Sequence, residues 1–314
     1  MRSYTLFAPA KINLFLEILG DRPDGFHELV MILQSISLGD YIHLQANGTQ
    51  QIRLTCSRQD LPADESNLAY RAARLMTERF PQAFANYGGL NIDLEKQIPI
   101  AAGLAGGSAD AAAVLVGIDL LWQLGLTQPE LQSLAAELGS DIPFCIGGGT
   151  ALATGRGEKL DPLPDVDNFW VVLAKDQTLA VPTPWAYQTY RQQFQTQYLP
   201  AGTPQRIRAR EIHAGPLVQA IQKRDAMAIA LGLHNDLEKV VLPHYPGVAN
   251  LRQVLAEAGG LGTMMSGSGP TVFTFCASQE SAEQVKATAE SHLANPNVQF
   301  WLARLIGHGI QVID

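Results

Sequence analysis

The stretch from Ile98 to Leu115, IPIAAGLAGGSADAAAVL, constrains this chain more than any other. It predicts an extended approach, a glycine-rich bend at Gly103, Gly106 and Gly107, and a helix opened by Ser108 that is too rich in alanine to be other than buried. A helix start leaves several backbone N–H groups without intrahelical partners and carries roughly +0.5 of a charge from the aligned peptide dipoles. Glycines let the backbone wrap a phosphate where a Cβ would collide, and Ser108 adds a hydroxyl donor or metal ligand. The stretch therefore points to a bound polyphosphate, although a glycine-rich turn ahead of a helix also serves as a plain tight connection. Two familiar loops are excluded. The P-loop needs a lysine after its last glycine, where this chain has Ser108 and Ala109, and the dinucleotide fingerprint needs G-x-G-x-x-G spacing.

At 314 residues the chain lies near the size at which one core splits into two, so two domains sharing a cleft are expected, divided near residue 158 into 1–158 and 159–314. A hydrophobic fraction of 46% supports substantial cores. The net charge of −8 and a pI near 5.4 argue against a nucleic-acid partner, so any nucleotide must be held by a focused site. Cys56, Cys145 and Cys276 are far apart, lack metal-ligand spacing and read as buried thiols of a reducing compartment. No signal or transit pattern precedes the first strand, and Asp119 interrupts the longest apolar run well short of the roughly 18 residues of a membrane span. The expectation is a soluble cytoplasmic protein with no membrane partner.

Along the chain, Ile12, Leu14, Leu16 and Ile18 alternate with polar or aromatic residues, the period of a strand with one face in a core, and Lys11 stands at its mouth. Pro23, Asp24 and Gly25 specify a turn that presents Phe26 and His27. Further strands are expected at Tyr41 to Leu44, Ile52 to Cys56 and Leu90 to Leu94, with a helix through Leu68 and Met76 capped by Ser66 or Asn67. Thr127 and Glu130 form a capping box, and Asp141 sits at the next turn start, where N–H donors would surround its carboxylate. Residues 191 to 212, with Arg206, Arg208 and Arg210, read as an inserted surface loop. The last third alternates helices with strands at Thr271 to Cys276 and Phe300 to Ile306, and the whole reads as an α+β fold.

Three separated segments, PAKINLFLEILGDRPDGFHEL at Pro9 to Leu29, PIAAGLAGGSADAA at Pro99 to Ala112 and SGSGP at Ser266 to Pro270, resemble in order and spacing the GHMP small-molecule kinases. The resemblance spans nearly the whole chain and takes in LGSDIPF around Asp141. It implies an N-terminal ATP domain with a left-handed βαβ crossover, packed against a C-terminal ferredoxin-like substrate domain, with the 21–36 segment reaching the substrate site. DGFHEL points within the family to ATP-dependent phosphorylation of the 2-hydroxyl of the methylerythritol part of a cytidine-diphosphate conjugate, in the non-mevalonate route to isoprenoid precursors. A homoserine or mevalonate kinase, or a catalytically silent ligand-binding module, stands as the alternative.

The same resemblance implies roles for particular residues. Asp141 matches the base and Lys11 the active-site lysine. ATP would be held by Pro99, Ile100, Ala101, Ala102, Gly103, Leu104, Ala105, Gly106, Gly107, Ser108 and Ala109, with Asn67 and Lys96 approaching adenine. On the substrate side stand Asn13, Phe26, His27, Thr183 and Tyr187, with His27 reading cytosine and the two aromatic residues stacking on it; Ser266, Gly267, Ser268 and Gly269 form the substrate-side loop. Mg²⁺ is expected with ATP, Ser108 being the candidate ligand, and the protein would be a monomer or weak homodimer. The chain departs from the family pattern in three ways: Ala109 follows Ser108 where many members have a second hydroxyl residue, Phe26 replaces a frequent tyrosine, and no helix-borne glutamate for Mg²⁺ is identifiable.

Overall fold

The computed structural model describes residues 2–199, 205–293 and 295–313. Its first half is framed by two very long strands, β1 (Ser3–Asp21) and β2 (His27–Ala46), joined by the tight turn that Pro23, Asp24 and Gly25 make. There follow β3 (Ile52–Cys56), α1 (Leu68–Arg79), α2 (Pro81–Tyr87), β4 (Leu90–Glu95), α3 (Gly106–Trp122), α4 (Gln128–Leu138), α5 (Ile142–Gly147), β5 (Thr150–Gly155) and β6 (Lys159–Leu163). The second half runs β7 (Trp170–Asp176), α6 (Thr183–Phe194), α7 (Gln205–His213), α8 (Pro216–Lys223), α9 (Ala226–Leu231), β8 (His234–Asn235), α10 (Glu238–His244), α11 (Pro246–Glu257), β9 (Gly262–Met265), β10 (Val272–Cys276), α12 (Gln279–His292), β11 (Val298–Arg304) and β12 (Gln311–Val312).

One sheet has eight strands, in the order β12-β1-β2-β4-β3 with β5 and β6 added beyond β2 and β8 added beside β1. The other is antiparallel, in the order β11-β7-β10-β9, with α11 and α12 packed on it. β3 and β4 pair in parallel, as the intervening α1 and α2 require. Residue 158 falls in the turn of the β5–β6 hairpin, so β6 stays with the first sheet, and the chain passes to the second between residues 163 and 170. Two late strands, β8 and β12, return to β1.

β1 carries more than the alternation suggests. Asn13 faces Leu33 on β2 but Phe15 faces Ile32, so Leu14 is an extra residue, a bulge that turns the strand over. Ile12 and Leu14 accordingly sit in the core beneath α3, whereas Leu16 and Ile18 enter the second core, with Val172, Val240, Leu251 and Val285. The single buried face expected for Ile12, Leu14, Leu16 and Ile18 is thus divided between two cores. Asp236 pins the junction: its carboxylate accepts the Ile18 N–H at 2.8 Å, while its own N–H donates to Leu16 at 3.0 Å. Burial would raise that carboxyl, but bonds from His234, Lys239 and Ile18 outweigh it and hold the pKa at about 2.

The 191–212 stretch is not a loop throughout. α6 continues to Phe194 and α7 occupies Gln205–His213, where Arg208 reaches back to Glu17 at 2.9 Å and pairs with Glu211 at 3.0 Å. Polar composition concealed helices whose charges are matched at short range and across the fold. Pro200 and Pro204 lie outside the described residues. Among the described residues no helix is long and apolar enough to cross a membrane.

Candidate active site

A cleft of about 880 Å³ runs between the two halves, lined at one end by Asn67 and the glycine-rich loop, in the middle by Lys11, Asn13 and Asp141, and at the other end by Phe26, His27, Thr183 and Tyr187. The residues singled out from three distant parts of the sequence therefore share one cavity.

α3 begins at Gly106, two residues before the Ser108 start expected from sequence, because Ala105 takes a left-handed conformation (φ 58°) and turns the chain into the helix. No side chain caps this end and no acidic residue lies in the first turn. The first intrahelical bond is Ala109 N–H to Ala105 O at 2.9 Å, which leaves the N–H groups of Gly106, Gly107 and Ser108 without helical partners. Two glycines here have different causes. Gly103 has φ 72°, and a Cβ on it would run into the carbonyl oxygen of Ser266, so the loop packs directly on the SGSGP segment. Gly107 has no such constraint: its φ is ordinary and a Cβ would meet only Leu68, at 3.7 Å. The protein has room for a side chain at 107, and the space lies in the cleft.

The SGSGP segment closes the cleft from the second half. Asn235 donates to the carbonyls of Met265 and Gly267, both at 2.8 Å, and fixes the segment; Ser266 Oγ donates to Gly103 O at 3.1 Å. Ser268 Oγ lies 2.8 Å from Thr183 Oγ1 at the start of α6. A Cβ at Gly267 would come within 3.6 Å of Lys11 Nζ and 3.5 Å of Asn13 Oδ1, so the segment lies against the central pair.

Lys11 and Asn13 project from the same side of β1 just before its bulge, and Lys11 N–H donates to Leu104 O at 3.1 Å, tying the strand to the loop. Lys11 Nζ donates to Asn13 Oδ1 at 2.8 Å and stands 3.7 Å from Asp141 Oδ2. The lysine side chain is 6% exposed and the aspartate 32%, so the carboxylate opens toward the cleft while the amine is enclosed. Asp141 precedes α5, yet its side chain accepts no bond from that helix, contrary to the N–H surroundings expected from the turn start. Its backbone is already helical there (φ −83°, ψ −16°), which swings the carboxylate off the helix end.

At the far end His27 is buried against Tyr187, ring centroids 5.1 Å apart, with Nε2 left without a hydrogen-bond partner. Burial lowers its pKa, and the nearby Arg191 lowers it further. Asp21 Oδ1, 3.5 Å from Nε2, pulls the other way, but the same oxygen is 2.8 Å from Arg191 Nε, which cancels most of its field. The histidine, which lines the cleft, is therefore held neutral at neutral pH, with a buried ring nitrogen that has no hydrogen-bond partner. Phe26, 49% exposed at the rim, has the Arg156 guanidinium 5.1 Å from its ring centroid.

Asn67 lines the opposite end and caps α1, accepting the Ala69 N–H at 2.9 Å. Lys96 departs from its expected approach to adenine: its amine is buried between Asp40 and Asp110 and committed to both. Burial drives the Asp110 carboxyl upward, against the pull of Lys96. Sequence reasoning passed over Asp40, Asp110, Arg156 and Arg191. For Asp110 a signal was present, since one carboxylate inside a buried run of alanines requires a buried partner.

Comparison with known proteins accounts for this arrangement. Residues 67–149 match the GHMP kinases N terminal domain and residues 217–295 the GHMP kinases C terminal domain. The chain is 68% identical over 314 residues, covering 100% of this chain and 100% of the other, to the 4-diphosphocytidyl-2-C-methyl-D-erythritol kinase of a Synechocystis species. It is 61% identical to that of Gloeothece citriformis, over 99% of each. A crystal structure of a 4-(cytidine 5'-diphospho)-2C-methyl-D-erythritol kinase superposes with a TM-score of 0.75 at 30% identity, covering 97% of this chain and 100% of that one. A homoserine kinase from Cytophaga hutchinsonii has the same fold, TM-score 0.76, at 21% identity, with 100% of this chain and 98% of that one covered. The uncapped helix start, the Lys11–Asp141 pair and the His27 end of one cleft thus lie in a chain that belongs to the 4-diphosphocytidyl-2-C-methyl-D-erythritol kinase family of the GHMP kinases.

Proposed function

We propose that the protein transfers the γ-phosphoryl group of ATP to the 2-hydroxyl of 4-diphosphocytidyl-2-C-methyl-D-erythritol, giving the 2-phosphate and ADP. The observation that carries this reading is a single cleft with a bare helix N-terminus at one end, an amine–carboxylate pair at its centre and a neutral buried histidine at the other. Phosphoryl transfer asks the protein mainly for positioning and charge neutralisation. The free N–H groups of Gly106, Gly107 and Ser108 would hold the β- and γ-phosphates at the positive end of α3. Asp141 would accept the proton of the attacking hydroxyl, and Lys11, 3.7 Å away, would stabilise the oxygen as its charge develops. Ser108 lines the cleft, and among the described residues no three His, Cys, Asp or Glu side chains gather as a metal cage. That donor set fits an Mg²⁺ carried largely by phosphate oxygens with Ser108 Oγ as the protein contact, where it would neutralise phosphate charge.

His27 would read the cytosine edge, with Phe26 and Tyr187 against the ring faces; Thr183 and Asn13 would face the polyol and diphosphate. The sign of the histidine shift sets a pH expectation. Because its folded pKa lies below the ordinary 6.5, His27 stays neutral as pH falls to 6.5 and charges only below that. KM for the cytidylyl substrate should be flat from pH 8 to 6.5 and rise below it. His27→Gln should raise that KM about tenfold, the worth of one lost hydrogen bond to a buried polar edge, and abolish the acid limb. A limb that persists in the variant would assign it to another group.

The direct test follows ADP release with ATP and each of three alcohols: 4-diphosphocytidyl-2-C-methyl-D-erythritol, homoserine and mevalonate. Turnover is expected with the first alone. Preference for either of the others would overturn the substrate assignment, and tight nucleotide binding without ADP release would make the protein a binding module.

A further inference from the structure

Beneath the glycine loop, and outside the chemistry just described, lies a buried cluster of three charged side chains from three elements. Lys96, directly after β4, pairs with Asp40 of β2 and, at 2.5 Å, with Asp110 in the second turn of α3. Lys96 and Asp110 are each 4% exposed. Asp40 has a second duty: its other oxygen accepts the N–H groups of Gln97, at 2.5 Å, and Ile98, at 2.8 Å. Those two residues lead into the loop, while Asp110 lies just beyond its last residue. A Cβ at Gly106 would stand 3.5 Å from Lys96 Nζ and 3.0 Å from Ile98, so the loop's own turn into α3 rests on this cluster.

We propose that Asp110, acting through Lys96 and Asp40, is a positioning residue for ATP: the cluster clamps both ends of the 97–109 loop to β2 and so sets where its free N–H groups point. The proposal rests on the reading that this loop holds the triphosphate. The clamp has a chemical logic. Backbone donors bind phosphate well only if their directions are fixed beforehand, and the glycines that make room for the ligand remove the side-chain packing that would otherwise fix them. A buried lysine shared by two carboxylates is costly to open, because parting it leaves charges in a poorly solvating interior. Lys96 thereby lines the nucleotide end of the cleft while two of its three N–H donors are held inward by the carboxylates.

The test compares Asp110→Ala with Asp110→Asn. Alanine matches the neighbours of Asp110 on α3 and leaves Lys96 paired with Asp40, so the chain is expected to fold. Asp110→Ala should raise KM for ATP about tenfold, the equivalent of one charge-assisted phosphate bond, with KM for the cytidylyl alcohol unchanged within twofold and an unchanged ATP-to-GTP preference. Asp110→Asn, which keeps an acceptor for Lys96, should bring KM for ATP back to within about twofold of wild type by retaining that one bond. The proposal is overturned by an unchanged KM for ATP in the alanine variant, by an equal rise in both KM values, by failure of asparagine to rescue, or by an altered ATP-to-GTP ratio, which would mean that Lys96 reads the base. If Asp110→Ala yields no folded protein, Asp40→Asn tests the same link: it keeps an acceptor for Gln97 and Ile98 but turns an amide N–H₂ toward Lys96, with the same expected KM pattern and the same overturning results. Calorimetry with ADP separates the two levels. Wild-type protein that binds no ADP removes the phosphate reading itself, whereas equal ADP affinity in wild type and Asp110→Ala removes only the clamp.

Discussion

Asp141→Asn is expected to lower kcat by about 10²- to 10⁴-fold, the usual worth of a positioned general base, and to leave ATP affinity nearly unaltered. The separation of effects follows from where the residue sits. The Asp141 side chain makes no hydrogen bond to the helix it precedes, and its backbone carbonyl, which accepts the Cys145 N–H at 3.2 Å, is untouched by the substitution, so an amide in its place costs the fold little. Its nearest charged neighbour is Lys11, at 3.7 Å, which keeps Asn13 as a partner at 2.8 Å when the carboxylate is gone. What disappears is the carboxylate in the middle of the cleft, the proposed proton acceptor. Single-turnover measurement of ADP formation, beside calorimetric titration with ADP, reads the two quantities separately. A kcat within tenfold of wild type would remove Asp141 as the base and leave Lys11 to carry the developing charge alone.

Gly107→Ala is expected to separate stability from function in the opposite direction. Nothing in the protein requires glycine at 107: the backbone is ordinary helix, and the added Cβ meets Leu68 at a comfortable 3.7 Å. Alanine is the better helix residue by about 0.5–1 kcal/mol, so the melting temperature should hold or rise. The same Cβ would occupy the space beside the free N–H groups, and a phosphate pushed off one of them loses about 1.5–3 kcal/mol. KM for ATP should therefore climb roughly 10- to 100-fold, with KM for the cytidylyl alcohol little affected. Thermal melting and paired KM measurements decide it. Unchanged ATP use in a fully stable variant would show that no ligand approaches this turn.

Both expectations rest on parts of the chain that were legible from residue order. The loop, Lys11, His27 and Asp141 stand in local patterns whose physical reasons are short-range: glycines before a helix, a Pro-Asp-Gly turn, a carboxylate at a turn start. The strands Ile52–Cys56 and Leu90–Glu95, α1, and α4 with Glu130 accepting from the Thr127 N–H at 2.8 Å follow from periodicity and capping in the same way. What was hidden depends on partners far away in sequence. The first half of β2, residues 27–36, lies buried between β1 and β5, so it shows no polar face to alternate against, and only the distal Tyr41 to Leu44 part of the strand was evident. The bulge at Leu14 appears only through its pairing, and Lys96 looks like an open-cleft lysine until Asp40 and Asp110 are brought to it from 56 and 14 residues away. α10 has no clear stripe of its own, being short, and takes its place from Leu237, Val240 and Val241 sinking into the second core.

The overturned strand has a mechanical consequence. β1 buries Ile12 and Leu14 in one core and Leu16 and Ile18 in the other, and Asp236 fastens the later pair to the second half. It therefore serves as an axle through both halves, with Lys11 and Asn13 mounted where it turns. Any rocking of the walls as ligands come and go would pivot around these two side chains, so they would move least while the jaws on either side travel.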